Sequence, residues 1–168
     1  MSDSGNSEAR AVHQRYLAAL DTFSAGCRTT RGHWFGQAEE FIELRTLLIP
    51  HAEGGNPDCQ YALASIAFLG LCCRSQEEFE ASHKRLEEEA VPWCIAAARQ
   101  GCWWAVDNLL VSGKGPEADR ARAMAKEVQR DSAHLIGHDA SSGMPIYGPE
   151  FMQEVTCRLY GVVRTGNE

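Results

Sequence analysis

The stretch AVPWCIAAARQGCWWAVDNLL, residues 90–110, decides the fold. Ala90, Trp93, Ala97, Ala98 and Gly101 are followed by Ala105, Leu109 and Leu110. Small residues, one Trp and one Gly thus recur at helical spacing, first on one helix and then, past a tight turn, on the next. A helix pair with small residues in its seam packs closely but cannot bury its apolar face alone, so it calls for neighbours.

Helical periodicity extends in both directions. Tyr16, Ala19, Leu20 and Phe23 form one stripe with Gly26 as a stop, and Phe41, Leu44, Leu47 and Leu48 form another that ends at Gly54-Gly55. Asn56-Pro57 opens a third helix, with proline in the first turn where its missing N–H costs little. Ser75 followed by Glu78 reads as a capping box, and Pro92 predicts a kink or a restart near Val91. The expected helices are 8–25, 34–53, 57–71, 76–100, 102–112, 117–131 and 149–163. Residues 1–7 read as a disordered N-terminus and 137–149 as the longest loop. Strand signals are weak throughout, so the expectation is an all-α chain of about seven helices, with 8–168 as a single domain.

Composition narrows the partners. A chain of 168 residues buries roughly two thirds of its unfolded surface, and 44% hydrophobic with 23% charged residues is ordinary for a soluble globular protein. The net charge of −7 argues against nucleic acid or an anionic membrane and favours a basic protein. Seven cysteines, an odd number with no CxxC pair, fit reduced thiols better than a disulfide scaffold. With no signal-peptide pattern in MSDSGNSEAR and no apolar run long enough for a bilayer, a cytoplasmic protein is expected.

Laid over itself at an offset of 46 residues, the chain repeats. Leu44, Leu47, His51, Ala52, Gly55, Cys59, Leu63 and Ala64 fall on Ala90, Trp93, Ala97, Ala98, Gly101, Ala105, Leu109 and Leu110. Six of the eight pairs match small residue to small or apolar to apolar, the exceptions being His51 over Ala97 and Ala64 over Leu110. Phe151, Val155, Leu159, Tyr160, Val163 and Gly166 echo the later half of the pattern. The run A-x2-W-x3-AA-x2-G-x3-A-x3-L at 90–109 resembles the Sel-one-like repeat, a relative of the tetratricopeptide repeat. GNPDCQYALASIAFLG at 55–70 is similar to that repeat's first helix, with Gly55, Cys59, Leu63, Ala64, Ala67 and Gly70 in place. The chain departs from the family pattern at Gly113, where an aromatic is usual, and in a longer insert at 72–89. The resemblance covers 44–113 and implies a short α-solenoid of antiparallel helix pairs that binds proteins and has no catalytic centre.

In such solenoids the first helix of each pair lines the concave face. Helical rotation then puts Tyr61, Ser65 and Phe68, and likewise Trp103, Trp104, Asp107 and Val111, opposite the buried side. Tyr, Trp and Phe are the usual anchors of protein interfaces. Against this stands the reading that Trp103 or Trp104 caps the core. Glu77, Glu78 and Glu80, with Glu87, Glu88 and Glu89, would steer a basic partner or form only a solvated helix face. His134 and His138 have a spacing that can serve a metal, but Gly137 interrupts the helix and no HExxH carboxylate follows. No metal or cofactor is therefore assigned. Cys72-Cys73 reads as two thiols at a helix end, and GxSxG, Walker and dinucleotide glycine motifs are absent.

Stand-alone short members of the family resemble bacterial immunity proteins that neutralise secreted antibacterial toxins, and that role is the leading expectation. The partner would be a basic toxin or effector, occluded without any chemistry. An effector adaptor or signalling scaffold is the alternative, and a metal-dependent hydrolase built on His134 and His138 ranks below both.

Overall fold

The computed structural model describes residues 3–29 and 35–162. Within them the chain is all-α: α1 Asp3–Thr29, α2 Ala38–Glu53, α3 Pro57–Phe68, α4 Gln76–Arg99, α5 Trp103–Val111, α6 Pro116–Asp131 and α7 Pro149–Tyr160. Trp34, Val163 and Gly166, which the sequence pattern includes, lie outside the described residues. The chain divides into two compact units, Met1–Trp93 and Cys94–Glu168, where the sequence reads as a single domain.

In the first unit α1, α2 and α3 pack on one another. Ala9, Val12, Tyr16, Ala19 and Phe23 form the buried stripe of α1 and meet Phe41, Leu44 and Leu48 of α2. Phe23 lies edge-on to Phe41 with ring centroids 6.1 Å apart. α1 starts at Asp3 and passes Gly26, so the frayed 1–7 segment and the stop at Gly26 are not seen from Asp3 onward. Its stripe begins at Ala9, which extends the packed helix to the N-terminal side, and one internal glycine costs only about 1 kcal/mol. A second cluster joins Ala67, Cys73, Leu86 and Ala90, with Phe35, Phe68 and Phe79 against it.

The helix ends follow the predicted punctuation. Asn56 caps α3, its side chain accepting from the N–H groups of Asp58 and Cys59. Ser75 Oγ accepts from the Glu78 N–H at 3.2 Å, while Glu78 reaches back one residue further to the Arg74 N–H. Gly55 and Gly101, 46 residues apart, both have positive φ, +91° and +88°. Each makes the same pair of turn bonds: Gly55 to Ala52 O and Asn56 to His51 O, then Gly101 to Ala98 O and Cys102 to Ala97 O. This is the Schellman arrangement, in which a left-handed residue satisfies the last carbonyls of a helix. Gly70, with φ +61°, ends α3 in the same way.

α4 continues as one helix through Pro92, matching the expected 76–100 and not the restart near Val91, and α2 likewise continues through Pro50. Burial of Ala90 before the proline and of Cys94, Ala97 and Ala98 after it outweighs the lost backbone bond. The expected loop at 137–149 contains an antiparallel hairpin, β1 Ile136–His138 paired with β2 Pro145–Tyr147 in the register Gly137 opposite Ile146. Asp139 fixes its tip, accepting from the N–H and hydroxyl groups of both Ser141 and Ser142. Three-residue strands are too short for alternation to register in a sequence.

Candidate functional site

The expected contact residues fall in both units, Tyr61, Phe68, Glu77, Glu78 and Glu80 in the first and Trp103, Trp104, Asp107 and Val111 in the second. α3 offers little free surface. Ala62, Leu63, Ala64, Ser65, Ile66 and Ala67 are all buried, because a helix enclosed by neighbours has no polar side to turn outward. Ser65, expected on the open face, instead points inward toward Tyr16, whose hydroxyl has no full hydrogen bond. Burial pushes that phenol up to about 12, and the Ser65 hydroxyl partly offsets the rise. Phe68 is half-buried and packs against the apolar cluster of Ala67 and Leu86. Tyr61 is half-buried.

Much of the acidic run is engaged within its own unit. Glu78 serves the α4 cap, Glu80 accepts from Gln76 at 2.7 Å, and Glu89 pairs with Arg45 of α2. Glu77 is exposed and forms no ion pair among the described residues. Exposed pairs of this kind add little stability.

The second unit presents a different surface. α5 is anchored by fully buried Ala105, Val106 and Leu109. At its C-terminal end the Arg122 guanidinium donates to Leu110 O and Gly113 O, satisfying carbonyls the helix leaves open. Gly113 permits this close turn, since a Cβ there would stand 2.6 Å from Leu109 O. Arg99 and Arg120 are drawn to Glu117, which also accepts from the Tyr160 hydroxyl at 2.9 Å. Burial works against ionisation of Glu117, but these partners prevail and hold its pKa below the usual value.

On the outer side of α5 the Trp103 and Trp104 rings stack, with centroids 3.9 Å apart and planes inclined by 25°. Trp104 is 45% exposed and Val111 75% exposed, while Asp107 is half-buried. Burial raises the Asp107 carboxyl pKa, and among the described residues no hydrogen bond or ion pair counters it. Trp104, Asp107 and Val111 follow the i, i+3, i+7 spacing of one helix face. The sequence rotation thus places these three side chains on accessible surface, with Trp103 half-buried against Trp104.

The hairpin adds exposed apolar groups that sequence reasoning missed: Met144, Ile146 and Tyr147, Met144 at 66% exposure. His134 lies in a single 3-10 turn, Ala133–Leu135, and His138 on β1, so the two do not share the helix that their spacing requires. Among the described residues no three His, Cys, Asp or Glu side chains converge to hold a metal ion. No disulfide joins the cysteines among the described residues, and burial pushes the thiols of Cys59 and Cys72 up to about 11 and that of Cys94 to about 12. Such thiols stay protonated at neutral pH and make poor nucleophiles. No helix of the described residues is long and apolar enough to cross a membrane. No family model, no curated protein and no solved structure matches this chain.

Proposed function

We propose that this chain is a protein-binding helical module, acting as an immunity protein that neutralises a secreted antibacterial toxin in the cytoplasm by covering its active site. The observation that carries the reading is the α5 face, where Trp104 and Val111 lie open to solvent beside Asp107, which has no partner among the described residues. A large aromatic exposed on a firmly packed helix contributes little to folding and much to an interface. The twin turns at Gly55 and Gly101 support the repeat reading, because their spacing of 46 residues is the offset at which the apolar pattern recurs. The net charge of −7 favours a basic partner and fast association. Occlusion requires no chemistry of the chain itself.

The test is capture of partners by the tagged full-length chain from its native cell extract, beside a Trp104→Ala/Val111→Ser variant whose helicity is verified by circular dichroism. One stoichiometric basic protein, lost with the variant and inhibited by the unaltered chain, is the expected result. Many weak partners would replace the inhibitor with an adaptor or scaffold. A single partner retained by the variant would remove α5 as the contact.

A further inference from the structure

The α5 face also has a chemistry of its own. The Trp103 ring stacks on that of Trp104, which keeps 45% of its surface open. One turn along the helix stands Asp107, partly withdrawn from water and without a cation among the described residues. α5, WWAVDNLLV, contains no basic residue. Three arginines of the same unit are engaged with other groups, Arg99 and Arg120 with Glu117 and Arg122 with Asp119 and the end of α5. A half-buried carboxylate beside an open indole is the pair of groups that a cation with a flat, weakly hydrated head satisfies together. Val111, 75% exposed one turn further, continues the apolar surface along which an aliphatic stem lies.

We propose that the Trp104–Asp107–Val111 face of α5 receives one arginine side chain of a basic protein partner, its guanidinium against the Trp104 ring and paired with the Asp107 carboxylate. The inference rests on the protein-binding reading above and adds the chemistry of its central contact. Arginine is favoured over lysine because its planar head stacks on an indole and pairs with a carboxylate at the same time.

The test titrates the 15N-labelled full chain with N-acetyl-arginine methylamide, with the uncharged citrulline analogue as control, and reads the Trp103 and Trp104 indole N–H signals. The expected result is a saturable shift with arginine, with Kd on the order of millimolar for so small a probe, and about fivefold or more weaker response to citrulline. Asp107→Asn is expected to weaken arginine binding about fivefold and to leave the citrulline response unchanged, with amide signals elsewhere confirming the fold. Equal response to both probes, no response, or arginine binding indifferent to Asp107→Asn would each overturn the proposal. The protein-binding reading fails separately. A chain whose partner is lost with Trp104→Ala but kept with Asp107→Asn retains that function without the arginine subsite. A chain that binds arginine but captures no protein loses the function.

Discussion

Gly70→Ala isolates the junction between the end of α3 and the start of α4. Gly70 has φ +61°, and a Cβ there would stand 2.3 Å from Phe79 Cδ2 and 2.6 Å from Cε2. Two costs add. Holding an L-residue in the left-handed region costs about 1–2 kcal/mol. Phe79 must also swing away from the cluster of Ala67, Leu86 and Ala90, which forfeits about 1–2 kcal/mol of apolar burial for a half-buried ring. The sum of about 2–4 kcal/mol is a large part of the ~5–15 kcal/mol that holds a domain folded. At roughly 2–4 °C per kcal/mol for a chain of this size, Tm should fall by about 5–15 °C.

Gly55 supplies the control. Its φ is +91°, yet a Cβ there meets nothing within 4 Å, so Gly55→Ala bears the backbone cost alone. Urea unfolding followed by circular dichroism should place Gly70→Ala at least about 1 kcal/mol below Gly55→Ala. Without the ring there is no clash, so Gly70→Ala and Phe79→Ala combined should cost about 1–2 kcal/mol less than their sum. Equal losses for the two glycine variants, together with an additive cycle, would refute the steric argument.

Three further expectations concern single groups. Tyr16→Phe removes a buried hydroxyl that lacks a full partner and should be neutral or stabilising by up to about 1 kcal/mol; a loss of that size in urea unfolding would instead reveal a working bond to Ser65. Asn56→Ala deletes the cap that receives the Asp58 and Cys59 N–H groups and should lower stability by about 1 kcal/mol with an unchanged denaturant slope. Asp107→Asn should stabilise the fold at neutral pH, because burial raises the carboxyl pKa above the ordinary 3.8 and makes ionisation unfavourable in the folded state. That gain is present above the raised pKa and disappears below the ordinary one, so unfolding midpoints of the two proteins should converge in acid. A variant that gains nothing at pH 7 would place the carboxylate in better-solvated surroundings than its burial indicates.

Much of the fold was legible because the signals are local. Asn56-Pro57 and Ser75-x-x-Glu78 mark helix starts through bonds that span only a few residues, and Gly55 and Gly101 mark ends through a backbone conformation that glycine adopts freely. What failed depends on partners distant in sequence. Pro92 does not break α4 because buried Ala90 and Cys94 anchor the backbone on both sides of it. Gly26 does not end α1, since a single weak residue yields to a stripe of five buried ones. The clash reserved at Gly70 for the Phe79 ring lies between two helices, and no pattern of spacing encodes it.

The α5 face and the hairpin show the same division at the level of the surface. Trp104, Asp107 and Val111 could be read from rotation alone because Ala105, Val106 and Leu109 hold one side of a nine-residue helix and leave the other free. The same rotation failed for Ser65, since α3 is enclosed on nearly every side and geometry within one helix cannot count its neighbours. Met144, Ile146 and Tyr147 escaped because a run rich in Gly, Pro and Ser reads as loop. Its order comes from Asp139, whose four bonds to Ser141 and Ser142 set the turn before any strand pattern is long enough to register. Asp107 differs from all of these. Its residue type and position were legible, but its lack of a partner among the described residues was not, because spacing within one helix does not say which charged side chains other elements bring near it. The proposed arginine subsite rests on that placement, a half-buried carboxylate one turn from an open indole with no cation paired to it among the described residues.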